Sequence, residues 1–211
     1  MLHIIIAVDE QDAELGRYFE SSKNYLCDYL TQNKNYQIQV VLAANCNQAY
    51  INNLITNTQK PCVFAAYSHG AKHGLRCNNR EYLDSVNILP LLNSFVYAMS
   101  CSSAAELGQS FKEQKGAFIG FNKEVKAFKD ESDLQKKCIQ CDNAGIYYML
   151  ANPSLPLKKG HKEMKARYIK LEEYFENEDT YNFFYAAYFR DMRDSLKFIG
   201  NENLTINDLM Q

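Results

Sequence analysis

A histidine and a cysteine, each placed at the end of an apolar segment, are the residues whose types and spacing indicate chemistry. His69 follows the apolar run that begins at Val63, and Cys101 follows the run that begins at Phe95. Cysteine attacks as its thiolate, and a neighbouring imidazole can accept the thiol proton near neutral pH. The pair therefore predicts nucleophilic catalysis by Cys101 with His69 as the base.

The two apolar runs have the length of buried β-strands, and about thirty residues separate their ends. Neighbouring parallel strands bring their carboxyl ends to one edge of a sheet, where open α/β folds bind ligands. We therefore expect His69 and Cys101 to meet at that edge, a layout typical of cysteine peptidases. Gly70 lets its backbone N–H approach a substrate closely, so the N–H groups of Gly70 and Cys101 are predicted to form an oxyanion hole.

The segment after Cys101 is predicted to be a helix from Ser103 to Lys115. Its positive N-terminal end would stabilise the Cys101 thiolate. His73, in the loop after Gly70, is the alternative base.

Short apolar runs alternate with longer amphipathic ones, which predicts an α/β fold with a mostly parallel sheet and helices on both faces. The expected strands are Leu2 to Val8, Tyr36 to Leu42, Cys62 to Ser68, Phe95 to Ser100, Ala117 to Phe121 and Leu196 to Ile199. The other expected helices are Ala13 to Leu30, Asn47 to Thr58, Ser85 to Leu92, Asp142 to Leu150, Lys162 to Glu176 and Thr180 to Ser195. A small hairpin is expected around Asn78-Asn79, a favourable turn pair.

Composition narrows the class of protein. The 211 residues are 46% hydrophobic with a formal net charge of -2, which fits a folded domain without a polyanion-binding surface. Nucleic acid is therefore not an expected direct partner. Seven cysteines without a framework pattern indicate free thiols of a reducing compartment, so a cytoplasmic location is expected. No apolar run has the length of a membrane span, so no membrane partner is expected.

Several segments resemble the caspase-fold cysteine peptidases, and the nearest members of that group are the CHAT-domain and gingipain-like proteases. The resemblance is carried by the His-Gly motif Tyr67-Ser68-His69-Gly70 and by the Cys motif Met99-Ser100-Cys101-Ser102-Ser103-Ala104. Weaker similarity extends to 116–122, to the aromatic segment 185–189 and to 195–201.

The resemblance implies a single caspase-like peptidase domain over residues 1–211. The core with the dyad would lie in 1–125, and a helical part with the last strand in 126–211. It implies a sheet of about six strands and hydrolysis of a protein substrate by Cys101 and His69 without metal or cofactor. It further implies activation by a protein partner or by self-association, and a role in antiviral defence or regulated cell death in bacteria.

The substrate pocket departs from the family pattern. Caspases carry Gln two residues before the nucleophile, where this chain has Met99, so strict specificity for Asp is not expected. The candidates for the substrate pocket are Met99, Asp9 after the first strand and Glu124 after the fifth. A carboxylate there would favour a basic residue before the cleaved bond.

Two other interpretations remain open. The chain could be a non-catalytic caspase-like interaction module whose dyad is vestigial. A flavodoxin-like binder of a small molecule is disfavoured, because Glu10-Gln11-Asp12 lacks a glycine-rich phosphate loop.

Cys138 and Cys141 form a lone C-x-x-C pair, which is a weak zinc signal without a second pair.

Overall fold

The architecture was obtained from a computed structural model, which describes residues 1–32, 35–58, 61–125, 133–177 and 182–211. The strands are β1 Leu2–Val8, β2 Tyr36–Val41, β3 Val63–Tyr67, β4 His69–Ala71, β5 Gly74–Cys77, β6 Arg80–Asp84, β7 Phe95–Ala98, β8 Ala117–Phe121 and β9 Leu196–Gly200. The α-helices are α1 Gly16–Leu30, α2 Gln48–Thr58, α3 Asp133–Ala151, α4 Lys158–Glu176, α5 Phe183–Ser195 and α6 Ile206–Leu209. Three short 3-10 helices cover Ala43–Asn45, Leu89–Leu91 and Leu107–Phe111.

A six-stranded sheet in the order β2-β1-β3-β7-β8-β9 forms the centre of the fold. The first five strands in this order are parallel, and β9 runs antiparallel to β8. The α/β fold with a mostly parallel sheet of about six strands is therefore confirmed. Strand β3 pairs directly with β7, with Ala66 opposite Ala98. His69 and Cys101 each follow three residues after this pair, so the register brings them to the same sheet edge.

Helices cover both faces of the sheet, because the central strands are apolar on both sides. In β1, Leu2, Ile4, Ile6 and Val8 pack in one cluster with the buried sides of α1, α3, α4 and α5. Ile5 and Ala7 belong to a second cluster, on the side of α2 and the 3-10 helices. Every residue of β1 except His3 is buried, which explains why the other six residues are apolar.

A smaller antiparallel sheet, β4-β5-β6, follows β3 and forms one side of the candidate site. Its hairpin turns at Asn78 and Asn79, whose φ angles of 50° and 59° lie in the left-handed region that asparagine tolerates. The hairpin at this pair is confirmed. The segment Gly70 to Gly74 is predicted to be a glycine-rich loop, but it is a hairpin. His69–Ala71 pairs with Gly74–Arg76, and Lys72 and His73 form the turn between them.

The predicted helix from Ser103 to Lys115 is wrong. Residues 101–106 form turns, and the 3-10 helix Leu107–Phe111 follows them. The reason is that backbone N–H groups donate to neighbouring loops instead of to the preceding turn: Ser102 to the Lys123 carbonyl and Ala104 to the Phe121 carbonyl. A helix from Ser85 to Leu92 is likewise reduced to the 3-10 helix Leu89–Leu91.

The second half of the chain is more helical than predicted. Helix α3 begins at Asp133 rather than Asp142, α4 begins at Lys158 rather than Lys162, and the short α6 was not predicted. The aromatic residues of α5 differ in burial. Phe189 is buried, but Phe183 and Phe184 are exposed; Thr180 and Tyr181 lie outside the described residues. None of the described helices combines the length and the apolar character needed to cross a membrane.

Candidate active site

His69 and Cys101 line one groove at the carboxyl edge of the central sheet. The groove has a volume of about 540 Å³. His69 is the first residue of β4, and Cys101 follows β7 after two residues. The structure therefore brings the predicted base and the predicted nucleophile to one concave surface. The other lining residues are Gly70, Ala71, Lys72, His73, Arg76, Ser102, Glu124 and Val125.

Gly70 packs against the backbone of Cys101, close to both its nitrogen and its carbonyl oxygen. A Cβ atom on Gly70 would stand 2.3 Å from the Cys101 carbonyl oxygen and 3.0 Å from the Cys101 nitrogen. Real Cβ atoms do not approach backbone this closely, so this position needs glycine for steric reasons. The same contact places Gly70 beside the Cys101 nitrogen. The oxyanion hole formed by the N–H groups of Gly70 and Cys101 stays a prediction.

The imidazole of His69 is held by a carboxylate and an aromatic ring. His69 Nε2 lies 3.0 Å from Asp12 Oδ2. The ring of Phe19 meets the imidazole edge to face, with 5.4 Å between the ring centroids. A carboxylate accepts hydrogen bonds, so it favours the tautomer with the proton on Nε2 and the lone pair on Nδ1. Nδ1 is then the ring nitrogen that can accept a proton from the thiol.

Asp12 is fixed by the turn that leads into helix α1. Its Oδ1 atom accepts hydrogen bonds from the backbone N–H groups of Leu15 at 2.7 Å and Glu14 at 3.0 Å. Burial by itself would raise the pKa of Asp12. These two N–H donors and the His69 ring outweigh burial and lower that pKa. Asp12 is therefore ionised at neutral pH, and its Oδ2 atom is aimed at His69.

The thiol of Cys101 rests against the backbone of Val125. Cys101 Sγ lies 3.3 Å from the Val125 carbonyl oxygen and 3.4 Å from the Val125 nitrogen. Burial is the largest influence on its pKa, and nearby Glu124 adds to it, so the pKa is raised despite stabilising N–H groups of Val125 and Cys101. The prediction that a helix N-terminus lowers this pKa is wrong, because residues 101–106 form turns and no helix begins directly after Cys101. The resting thiol is protonated.

The turn after Cys101 carries backbone strain. Ser102 has a φ angle of 54°, in the left-handed region that residues other than glycine rarely adopt. Its N–H donates to the Lys123 carbonyl oxygen at 2.8 Å, which holds this conformation. The turn directs the chain away from the sheet directly after Cys101 and leaves the thiol at the groove.

The three predicted substrate-binding residues lie in different places. Glu124 is exposed and lines the groove. Met99 lines a second, mostly apolar cavity of about 30 Å³ that also reaches His69 and Cys101. Asp9 is fully buried, and its Oδ2 accepts a hydrogen bond from the Asn78 N–H at 3.1 Å. Asp9 is therefore removed from the substrate-binding candidates.

His73, the alternative base, also lies in the groove. Its Nε2 atom is 2.9 Å from Glu81 Oε1, and Glu81 binds Arg76 as well. His73 is thus paired with a carboxylate on β6. Both histidines of the groove have a carboxylate partner, but His69 also lines the cavity that reaches Cys101.

Asp12 and Val125 are the site residues that sequence reasoning did not identify. Asp12 carried one usable signal, because an acidic residue just before an amphipathic helix is a frequent N-terminal cap. No sequence signal indicates the contact of Val125 with the Cys101 thiol, since this contact depends on the path of the chain after β8.

Potential metal ligands also lie at this edge. Asp9, Asp12 and His69 each offer one ligand atom, and these three atoms lie within 4.8 Å of one another. The C-x-x-C pair is different, because Cys138 and Cys141 are buried in α3. All seven cysteines are free thiols.

The fold and the site define an α/β protein whose architecture is consistent with a caspase-like fold. Neither the protein-family models nor the curated proteins with which the sequence was compared match this chain. The assignment of a function therefore depends on the geometry of the site.

Proposed function

We propose that this protein is a cysteine endopeptidase in which Cys101 is the nucleophile and His69 the base. One observation carries the proposal. The adjacent parallel strands β3 and β7 deliver a carboxylate-held histidine and a half-buried cysteine to the same groove. Such a set of nucleophile, base and orienting group is the arrangement that thiol hydrolases use.

The chemistry follows from these positions. His69 accepts the Cys101 proton while Sγ attacks the carbonyl carbon of the peptide bond. The resulting oxyanion takes hydrogen bonds from the Gly70 and Cys101 N–H groups. The C–N bond then breaks, and His69 donates the proton to the departing amine. Water, deprotonated by His69, hydrolyses the thioester and restores the thiol. Asp12 is a positioning residue, because it touches the histidine and not the substrate.

Activation by a partner or by self-association fits the resting geometry. A thiol in contact with the Val125 carbonyl and with a raised pKa has to leave that contact before it attacks. The cavity beside Met99 has room for about one water molecule, so a substrate side chain requires it to widen. A protein that binds near Val125 would produce both changes. The role in antiviral defence or regulated cell death remains a prediction from the resemblance.

The cavity also bears on substrate preference. Its wall is largely apolar, and the side chains of Leu15, Phe19, Met99, Phe121 and Met192 contribute to it. Groove residue Glu124 is exposed, and the basic residues Lys72 and Arg76 line the same groove. These surroundings support a small apolar residue before the cleaved bond, in place of the basic residue first expected.

The second candidate function is a non-catalytic interaction module. One observation favours it: burial raises the pKa of Cys101 instead of lowering it. In that case the groove would bind a protein segment without cleaving it, and His69 with Asp12 would be structural.

Covalent labelling separates the two functions. A peptidyl chloromethylketone with alanine next to the reactive group should label Cys101 first among the seven cysteines. Cys101→Ala should remove the label, and His69→Ala should slow it by about a hundredfold, in the range of general-base assistance. Cys27→Ala is the matched control, because Cys27 is another half-buried thiol and lies on α1. Equal labelling rates in wild type and His69→Ala would support the interaction module.

A further inference from the structure

Three potential metal ligands lie together at the carboxyl ends of β1 and β3. Asp9 follows β1, His69 follows β3, and Asp12 lies in the loop that enters α1. One ligand atom from each lies within 4.8 Å of the other two. Among the described residues, no other group of three histidine, cysteine or carboxylate side chains lies at this spacing.

Asp9 provides an independent sign of a ligand. Its side chain is completely buried. Oδ2 accepts a hydrogen bond from Asn78, but Oδ1 has no hydrogen-bond partner among the described residues. A buried carboxylate oxygen without a partner is unfavourable, because it has lost its water without a replacement. A cation held by Asp9, Asp12 and His69 would give this buried carboxylate a partner of opposite charge.

The other two ligands are already in place. Asp12 Oδ1 is occupied by the Leu15 and Glu14 N–H groups, so Oδ2 is directed at His69, 3.0 Å away. Bonds of about 2.0 to 2.2 Å place two ligands of a tetrahedral zinc ion roughly 3.4 Å apart. The pair has nearly that separation. The ligand atom of Asp9 lies within 4.8 Å of the other two, so zinc binding requires it to approach by up to about 1.4 Å.

The donor set selects the class of cation. One imidazole nitrogen with two carboxylate oxygens suits Zn²⁺ and related transition ions. Ca²⁺ and Mg²⁺ prefer six or more oxygen ligands, which three side chains do not provide.

We propose that Asp9, Asp12 and His69 bind one Zn²⁺-like divalent cation, which prevents His69 from serving as the base. The second part rests on the proposed peptidase function. The cation would occupy Nε2, so the proton of the neutral ring would sit on Nδ1, leaving no lone pair to accept a proton from Cys101. The site would therefore be inhibitory.

Zinc binding is measured in the Cys101→Ala protein, which lacks the thiol as a competing ligand. Titration against a chromophoric zinc chelator should show one Zn²⁺ per chain. In that background, Asp9→Asn, Asp12→Asn and His69→Ala should each weaken binding by at least tenfold. Glu124→Gln is the matched control, because it removes a nearby carboxylate that lies outside the cluster. Mg²⁺ and Ca²⁺ at the same concentration should not displace zinc.

The outcomes separate the site from the peptidase function. The proposed zinc site is overturned if the Cys101→Ala protein binds no zinc, or if the three cluster variants bind zinc as tightly as that protein does. It is also overturned if Glu124→Gln weakens zinc binding as much as the cluster variants do. If Asp9→Asn does not fold, Asp12→Asn and His69→Ala decide, since both side chains are partly exposed. In protein with Cys101 intact, zinc should slow chloromethylketone labelling, and Asp9→Asn should resist this effect. Labelling unaffected by saturating zinc overturns the inhibitory role and leaves the peptidase proposal standing.

Discussion

Gly70 lies so close to Cys101 that a single methyl group on Gly70 would stand 2.3 Å from the Cys101 carbonyl oxygen. The first strand of the small sheet is thus packed directly on the turn that carries the nucleophile. Any change in this contact moves the two N–H groups of the proposed oxyanion hole relative to each other.

Gly70→Ala should therefore impair both stability and activity. The backbone has to shift, at a cost of about 1 to 3 kcal/mol for an overpacked site. Peptide hydrolysis should fall by about a hundredfold or more, because the oxyanion donors are displaced. Thermal unfolding and hydrolysis rates measure the two effects. Ala71→Gly, in the same strand, is the control and should retain most activity. A fully active Gly70→Ala protein would contradict the oxyanion assignment.

Asp12→Asn should reduce activity with little loss of stability. The side-chain oxygen of the introduced asparagine can still accept the Leu15 and Glu14 N–H groups, so the start of α1 is kept. Its NH₂ group would face His69 Nε2 and favour the tautomer with the proton on Nδ1. We expect at least a tenfold drop in hydrolysis.

The ¹⁵N chemical shifts of His69 test the cause of that drop, since they report which ring nitrogen carries the proton. Asp12→Ala is the comparison, because it also removes the acceptor of the Leu15 and Glu14 N–H groups in the turn before α1 and should lower stability by about 1 kcal/mol. An Asp12→Asn protein with wild-type activity and shifts would exclude Asp12 as a positioning residue.

The rate at which iodoacetamide alkylates Cys101 should continue to rise with pH above the pH range in which a free thiol ionises. Burial raises the pKa of Cys101, so the thiolate is scarce at neutral pH and accumulates only as the pH passes that raised value. Rates measured by mass spectrometry should lie below those of glutathione at about pH 7.5, where a free thiol is already partly ionised. If the midpoint of the pH–rate curve of Cys101 lies below that of glutathione, the resting thiol is already activated.

Substrates with a small apolar residue before the cleaved bond should be preferred. A peptide series with Ala, Leu, Arg or Asp at this position should be cleaved fastest with Ala, because the cavity beside Met99 is mostly apolar and narrow. Hydrolysis of each peptide, followed by chromatography, gives the order. Glu124→Gln should leave that order unchanged. If the Arg peptide is cleaved fastest and Glu124→Gln removes this preference, the first expectation of an acidic substrate pocket is correct instead.

Stability should fall as the pH rises from about 4 to about 6, through the ionisation of Asp142. Burial raises the pKa of this carboxyl group from 3.8 to about 6, although hydrogen bonds from Tyr168 and Tyr18 oppose the shift. The folded state therefore holds the proton more tightly than the unfolded state over this window. The free energy of unfolding should decrease by up to about 3 kcal/mol as pH rises through it, and then remain level.

Urea unfolding at about pH 4, the lower end of this window, and at about pH 7, above it, measures the effect. Asp142→Asn should lack this component of the pH dependence, because the amide does not titrate. The same pH dependence in both proteins would assign the effect to other groups.

The sequence by itself determined the elements whose signals are local. Strands Leu2–Val8 and Ala117–Phe121 have the predicted bounds, since continuous apolar runs of this length are buried on both faces of a parallel sheet. The Asn78-Asn79 hairpin was equally predictable, because asparagine tolerates the left-handed backbone of this turn. The α/β pattern also implied that His69 and Cys101 would share a sheet edge.

Tertiary structure decided the electrostatics of the site. The predicted helix after Cys101 did not form, because its N–H groups donate to Lys123, Phe121 and Lys72 carbonyls that are distant in sequence. Asp9 became buried because β1 lies between β2 and β3 in the sheet. The contact of Asp12 with His69 and that of Val125 with Cys101 depend on where separate loops meet. Local residue patterns carry no information on those distances, so only the folded chain sets the protonation of the two reactive groups.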